Sequence, residues 1–156
     1  HHCPRNPGPN GFELDYSLKA PHVRISDQAD HLLFSTGQLS MRISKRAPLE
    51  IVFEDSEGLP ITRTDADSLA VMDVRDQGTH LMQRLSLGIG ECIYGLGERF
   101  GPLVKNGQNI VAWNEDGGTC SDQAYKNVPF YLSSRGFGLL VNSPGRPSIL
   151  PGPKSC

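Results

Sequence analysis

Apolar and polar residues alternate along much of the chain with the period of two that is typical of β-strands. The clearest case is LSMRIS at 39–44, where three apolar residues alternate with three polar ones. A period of two places the apolar side chains on one face of a strand, and that face packs on a core. We therefore predict a strand wherever this pattern, or a short apolar run between turn residues, occurs.

Turn residues separate the predicted strands at intervals of roughly ten positions, which is typical of all-β domains. Leu81–Leu85 could form a single helical turn, but its neighbours do not extend a helical pattern, and we predict a strand there. Pro60 is expected at a sheet edge, because proline cannot donate a ladder hydrogen bond. The predicted strands span 12–18, 22–25, 31–35, 39–44, 49–53, 59–64, 69–74, 80–87, 93–98, 109–114, 128–134 and 137–142.

A chain of 156 residues is long enough for one domain with a hydrophobic core. Proline and glycine are dense at both ends and disfavour central strands there. We predict an irregular segment at 1–11, a mostly antiparallel β-sandwich at 12–144 and an irregular tail at 145–156. The first residues hold neither a starting Met nor an apolar signal-peptide core, so we expect the chain to begin at an internal boundary.

Composition argues against several classes of function. The formal charge of −2 comes with no basic stripe, which argues against nucleic acid as a partner. Apolar runs are too short to span a bilayer. The four cysteines are irregularly spaced and form no CxxC pair, so we expect reduced thiols, no metal and no disulfide framework. No Asn-X-Ser/Thr sequon is present, which favours an intracellular protein, although the start of the chain gives no localisation.

Two glycine-containing pieces resemble parts of a dinucleotide fingerprint, but neither Gly88-Ile89-Gly90 nor Gly95-Leu96-Gly97 has the third glycine or a following helix. No dinucleotide cofactor is therefore expected. Regular alternation through 93–100 would place Leu96, Glu98 and Phe100 with Tyr94 on one strand face. Arg99 would lie on the other face with Gly95 and Gly97, and the two glycines leave that face bare. That face either receives a second domain closely or marks a bulge, and both interpretations remain open.

The polar segment NEDGGT at 114–119 follows a predicted strand that ends in Trp113. An aromatic ring can cover the apolar face of a sugar, and carboxylates can accept hydrogen bonds from its hydroxyls. The alternative is a solvent-exposed hairpin loop in which Asp116 forms an Asx turn ahead of Gly117. Glu98 would need a second carboxyl group nearby to act as a catalytic acid, and YKNVPFY at 125–131 is expected to be a core strand.

Four motifs carry a family resemblance: YGLGERF at 94–100, WNEDGGT at 113–119, QAYKNVPFY at 123–131 and RGFGLLVN at 135–142. In this order and spacing they resemble the N-terminal β-sandwich of family 31 glycoside hydrolases, above all the α-xylosidase branch. Residues 13–87 follow the family only loosely, and the tail after Arg146 departs from it.

The resemblance implies a retaining α-glycosidase whose two catalytic aspartates lie on a (β/α)8 barrel that would follow this domain. This chain would then hold no catalytic residue and would use no cofactor. Asp116 falls where the family places an aspartate that contacts the sugar, with Trp113 and Asn114 as further substrate-site residues. The implied partners are an α-xyloside or α-glucoside and the catalytic barrel. A stand-alone carbohydrate-binding module and an inactive structural fragment remain as alternatives.

Overall fold

The computed structural model describes residues 15, 17–64, 66–76, 78–114, 124, 126–143 and 145–152. Within these ranges every helix-or-strand element is a β-strand, and all strand pairs are antiparallel. The predicted all-β, antiparallel fold is confirmed. The chain divides into an N-proximal unit, Lys19–Leu87, and a C-proximal unit, His1–Leu18 with Gly88–Cys156. The predicted domain limits at 12–144 stay a prediction.

The N-proximal unit holds one five-stranded sheet and one two-stranded sheet. In the first, each strand pairs with the next along the chain, in the order β1-β2-β3-β4-β5. The second sheet is the hairpin β6-β7. The strands are β1 Arg24–Asp27, β2 His31–Ser35, β3 Ser40–Ser44, β4 Ile51–Glu54, β5 Pro60–Thr64, β6 Leu69–Val74 and β7 Gly78–Gln83.

The turn between β4 and β5 shows why the predicted hairpin forms. The Asp55 carboxylate accepts hydrogen bonds from the Glu57 and Leu59 amides, both at 2.9 Å. Gly58 adopts φ 81°, a left-handed conformation that glycine reaches without cost. Pro60 opens β5, the last strand of its sheet, so its predicted edge position is confirmed.

The strand predicted at 80–87 ends earlier than expected, because the chain changes partners after Arg84. The Arg84 amide donates to Ser68 O at 2.7 Å, which continues the pairing of β6 with β7 by one position beyond Leu69 and Gln83. The Ser86 amide then donates to Arg63 O at 2.8 Å, and Ser86 O accepts from the Thr62 hydroxyl at 3.0 Å. Ser86 therefore lies beside β5 instead of lengthening β7.

The C-proximal unit contains a three-stranded sheet in the order β11-β10-β8 and a two-stranded sheet of β12 with β9. Among its described residues, the buried apolar side chains include those of Ile93, Leu96, Ile110, Ala112 and Ala124. Most of the strand predicted at 12–18 lies outside the described residues. The strands are β8 Ile93–Gly95, β9 Ile110–Val111, β10 Phe130–Ser133, β11 Gly138–Leu140 and β12 Ser148–Ile149.

The regular alternation predicted through residues 93–100 is wrong. Gly95, Leu96 and Gly97 have φ of 98°, 66° and 89°, so β8 ends at Gly95 and the chain turns. Leu96 is 1% exposed and Phe100 is 60% exposed, although alternation had placed them on one face. Left-handed backbone at three successive residues destroys the period of two.

The tail predicted to be irregular contains a short strand. Ser148 pairs with Val111 and Ile149 with Ile110, and Pro147 O accepts from the Ala112 amide at 2.9 Å. Proline lacks a donor but keeps its carbonyl, so Pro147 can still accept at the start of a two-stranded pair. The strand pairs on a single side and is thus not a central strand, in line with its content of proline and glycine.

The predicted core strand at 125–131 starts later and is only partly buried. β10 begins at Phe130, which is exposed, while Tyr131 is half-buried. Pro129 is buried directly before the strand, and its carbonyl accepts from the Val141 amide at 2.8 Å. The ring of Tyr131 meets that of Phe137 edge-on at 6.5 Å.

Candidate functional site

The predicted sugar-site residues follow β9. Trp113 is 46% exposed, which is unusual for a side chain of this size, and Asn114 is exposed beside it. Asp116 lies outside the described residues, as does Glu115. The structure thus brings Trp113 and Asn114 together at the end of β9 and leaves the position of the Asp116 carboxylate untested.

The side chain of Asn127 connects the two predicted residues to the chain beyond the polar segment. Its Nδ2 donates to Trp113 O at 2.7 Å, to Asn114 Oδ1 at 3.0 Å and to Ala124 O at 2.6 Å. Its backbone amide also donates to Asn114 Oδ1 at 3.0 Å. One side chain therefore binds residues on both sides of segment 115–123.

The Arg99 guanidinium supports Asn127 from the other side. Its Nη2 donates to Val111 O at 2.8 Å and to Asn127 Oδ1, and its Nε donates to Leu96 O at 3.3 Å. Arginine carries several donors in a fixed plane and stays charged, which suits it to hold several carbonyl oxygens at once. The Asn127 side chain is thereby oriented with its amino group toward Trp113 and Asn114.

A backbone bridge joins the same two places. Asn114 and Ala124 form an isolated parallel β-bridge, although nine residues separate them along the chain. The bridge and the Asn127 contacts hold Asn114 and Ala124, which flank residues 115–123, next to each other. We call this joined pair of flanking residues a closed neck.

The ring of Trp113 has one charged neighbour from the tail. The Arg146 guanidinium carbon lies 5.9 Å from the ring centroid, within the range of a cation–π contact. Arg146 is exposed and immediately precedes the residues that pair with β9. The tail thus lies against the predicted sugar-site aromatic.

The bare glycines noted in the sequence lie next to this site, and they receive the chain's own backbone. A Cβ at Gly95 would stand 2.9 Å from Phe130 O, and a Cβ at Gly97 would stand 2.9 Å from Asn127 Cα and closer still to Lys126 O. Glu98 N donates to Lys126 O at 2.9 Å. The space beside the two glycines is therefore occupied by backbone of the C-proximal unit, and at Gly97 this is the backbone of Lys126, the residue before Asn127.

The charged side chains around the site carry structural roles. The exposed carboxylate of Glu98, considered above as a catalytic acid, pairs with Lys126 at 2.7 Å. Lys105 is 4% exposed, and its Nζ donates to Pro102 O at 2.8 Å. Burial lowers the pKa of Lys105 below its ordinary value, and the positive charge of Arg99 lowers it further. A cation is thus buried close to the site.

A second polar cluster holds the start of β8. The Glu91 carboxylate is buried, accepts from the Gly88 amide at 2.7 Å and accepts from the Ser133 hydroxyl. Asn106 accepts from the Ile93 amide at 2.8 Å and donates to Glu91 O at 2.9 Å. Burial raises the pKa of Tyr131, and the negative charge of Glu91 raises it further.

Sequence reasoning missed Arg99, Asn127 and Arg146. Arg99 was assigned only to a strand face, Asn127 fell in a predicted core strand, and Arg146 marked the boundary of the tail. Arg99 and Asn127 lie within YGLGERF and QAYKNVPFY, two of the motifs that carry the family resemblance, and this is the signal in the sequence that could have identified them. Their contact spans 28 positions, a separation that a period of two cannot reveal.

Membrane spans and metal clusters are both missing from the part of the chain that the structure describes. These residues contain no helix long and apolar enough to cross a membrane. Among the same residues, no three His, Cys, Asp or Glu side chains are grouped so that they could hold a metal ion.

Known proteins resemble this chain in sequence and in fold. An α-xylosidase of Emericella nidulans is 36% identical over 161 positions, covering 90% of this chain and 20% of that protein. The α-xylosidase XylQ of Lactiplantibacillus pentosus is 41% identical over 128 positions, covering 81% of this chain and 16% of that protein. The chain thus spans a fifth or less of the length of these relatives.

Among solved structures, the family 31 dextranase of Flavobacterium johnsoniae, complexed with glucose, matches with a TM-score of 0.70 and 25% identity, over 85% of this chain and 16% of that chain. The family 31 α-xylosidase of Xanthomonas citri matches with a TM-score of 0.60 and 24% identity, over 76% and 12%, and shows the shared fold. The family model of the glycosyl hydrolase 31 N-terminal galactose mutarotase-like domain matches residues 2–149. This chain therefore belongs to the family of glycosyl hydrolase 31 N-terminal galactose mutarotase-like domains.

Proposed function

We propose that the polar segment after β9 contributes sugar contacts to the substrate site of a larger α-xylosidase-like enzyme. The observation that carries the proposal is the exposed Trp113 ring at a closed neck. Aromatic rings of this kind cover the apolar face of a sugar, while neighbouring polar groups bind its hydroxyls. The names of both curated relatives support an α-xyloside or a related α-glycoside as the substrate.

The residues of the site take different roles. Asp116 accepts a hydrogen bond from a sugar hydroxyl, and a charged acceptor makes this bond stronger than a neutral one. Trp113 lies against the sugar ring. Asn114 Oδ1 already accepts two hydrogen bonds from Asn127, so only the Asn114 amino group is offered to a ligand.

Catalysis itself belongs to a partner domain in this proposal. Retaining glycosidases use two carboxyl groups about 5 Å apart. The carboxylate considered above as a catalytic acid, that of Glu98, forms an ion pair with Lys126. The relatives are about five times as long as the matched part, which leaves room for a (β/α)8 catalytic domain. The enzyme hydrolyses a terminal α-xylosyl or α-glycosyl bond, and the present domain contributes to binding the sugar.

The test is made in an enzyme that joins this chain to its catalytic domain. Asp116→Ala should lower kcat/KM for a chromogenic α-xyloside by about tenfold, the effect of one lost charged hydrogen bond. Glu57→Ala, an exposed carboxylate in the β4–β5 turn, is the matched control and should leave kcat/KM unchanged. If Asp116→Ala lowers the thermal stability while kcat/KM per folded molecule stays normal, Asp116 is a turn former and the proposal fails.

The exposed Trp113 also fits a second function, a stand-alone carbohydrate-binding module. Titration of methyl α-xyloside and methyl α-glucoside into the isolated chain distinguishes the two. Millimolar or tighter binding that Asp116→Ala abolishes favours the module. A monodisperse chain without sugar affinity favours a domain that binds only beside its catalytic partner, and association in light scattering favours an inactive structural fragment.

A further inference from the structure

The side chains of Arg99 and Asn127, with the oxygens they bind, form a continuous hydrogen-bonded connection that we name the Arg99–Asn127 clamp. It runs from Leu96 O and Val111 O through Arg99 to Asn127 Oδ1. From Asn127 Nδ2 it continues to Trp113 O. We propose that Arg99 and Asn127 are positioning residues that fix Trp113 and Asn114 for sugar contact. This inference rests on the proposed function.

The clamp holds the backbone carbonyl of Trp113, and the ring itself is not fixed by burial. Nearly half of this side chain is exposed. The Arg146 guanidinium is its charged neighbour, and a cation–π contact at an exposed site is weak. The carbonyl of Trp113, in contrast, is held at 2.7 Å by Asn127. The direction in which the ring leaves the backbone therefore depends on that hydrogen bond, together with the one that the Trp113 amide donates to Val111 O at 3.1 Å.

Asn114 is fixed by the same side chain. Its Oδ1 accepts from both the backbone amide and Nδ2 of Asn127, each at 3.0 Å. Two donors on one acceptor fix the plane of the Asn114 amide, which directs its amino group. An aspartate at 114 would keep this acceptor, whereas an alanine would remove the acceptor and leave the bond from Asn127 to Trp113 O in place.

Arg99 determines which end of the Asn127 amide faces Trp113. Oxygen and nitrogen of an amide have nearly the same shape, so only partners select the orientation. The positive charge of Arg99 binds Oδ1 and thereby directs Nδ2 toward the three acceptors. A lysine at 99 keeps the charge but not the planar set of donors that reaches Leu96 O, Val111 O and Asn127 together.

The chain offers a direct readout, because Trp113 is its single tryptophan. Fluorescence excited at the indole band thus reports on this side chain alone. In Asn127→Ala and in Arg99→Lys we expect the steady-state anisotropy of Trp113 to fall and its acrylamide quenching constant to rise by about twofold, as the ring gains freedom. Asn114→Asp should keep wild-type values, and Asn114→Ala, which leaves Asn127 bound to Trp113 O, should change both values less than Asn127→Ala does.

The matched control is Asn109→Ala, which also removes one asparagine amide from the C-proximal unit. Asn109 Oδ1 accepts from the Ser148 hydroxyl at 2.7 Å and is not part of the clamp. This variant should leave anisotropy and quenching unchanged. Far-UV circular dichroism tests whether each variant is folded, and Asn127→Asp, which keeps the acceptor for Arg99 but removes the donor, replaces Asn127→Ala if that variant unfolds.

Sugar binding completes the test. The Kd for methyl α-xyloside, measured by isothermal titration calorimetry with the enzyme that carries this chain, should rise about five- to tenfold in Asn127→Ala and in Arg99→Lys, the cost of losing a preordered contact. Asn109→Ala should bind as wild type. Clamp variants with control-like fluorescence and control-like Kd overturn the inference. A wild-type protein that binds no sugar overturns the proposed function instead, whatever the fluorescence of the variants.

Discussion

Gly97 lies so close to Lys126 that a Cβ atom at position 97 would stand 2.2 Å from the Lys126 carbonyl oxygen. The backbone at Gly97 also has φ 89°, a conformation that costs other residues roughly 1–2 kcal/mol. Close approach and backbone conformation thus both require glycine here. The same carbonyl accepts the Glu98 amide, so the contact is part of a hydrogen-bonded connection between two motifs.

Gly97→Ala should therefore destabilise the chain by about 3 kcal/mol, the sum of overpacking and left-handed strain. The measurement is the midpoint and slope of urea unfolding. Gly37→Ala is the control, because Gly37 has φ 90° but a Cβ there would meet no atom within 4 Å beyond its chain neighbours, so it carries the strain without the clash. If both variants lose the same stability, the close approach of Lys126 contributes nothing.

Local elements of this fold follow from the sequence, because their cause is local. The alternation at 39–44 predicts β3, and the residues Asp55–Gly58 predict the turn that precedes β5. Both depend on neighbours within a few positions. The same holds for the place of Pro60 at a sheet edge, which follows from its missing donor.

The site follows from the sequence only in part, because its connections are long-range. Trp113 and Asn114 were identified by residue type and motif. Arg99 and Asn127 meet across 28 positions, and the positive φ of Leu96, a residue that rarely adopts it, ends the strand that alternation predicts. The tail strand likewise depends on β9, with which it pairs, and short Pro-rich sequence gives no signal for it.

The buried Glu91 carboxylate is expected to be a main source of stability in the C-proximal unit. It accepts from the Gly88 amide and the Ser133 hydroxyl. Glu91→Ala leaves the buried Ser133 hydroxyl and the part-buried Gly88 amide without that acceptor and should cost about 3 kcal/mol of unfolding free energy. Urea unfolding measures the loss, with Glu57→Ala as the exposed control. A loss below about 0.5 kcal/mol, which is typical of surface substitutions, would contradict the role assigned to Glu91.

The buried Lys105 makes the free energy of unfolding depend on pH in the alkaline range. Its pKa in the folded chain lies below the ordinary value of 10.5 because of burial and Arg99. As pH rises through the folded pKa toward 10.5, the folded chain loses this proton before the unfolded chain does, and stability increases. Below that window the buried charge opposes folding in full.

Lys105→Met removes this dependence. The stability of wild type minus that of Lys105→Met should be lowest at neutral pH and should rise across the window below 10.5. Tyr131, whose raised pKa lowers stability at alkaline pH, is present in both proteins and cancels in the difference. Urea unfolding at a series of pH values measures the difference. A difference that stays constant with pH, or that falls, contradicts the assigned shift.

The most direct measurement of the central claim is the release of chromophore from a nitrophenyl α-xyloside by the isolated chain and by the enzyme that joins it to a catalytic domain. We expect no release above the buffer rate by the chain alone. We expect turnover by the joined enzyme, and Asp116→Ala should lower this turnover about tenfold, as one charged hydrogen bond is lost. Turnover by the isolated chain would show that the catalytic groups lie within these residues, and a non-catalytic role of this domain would then be wrong.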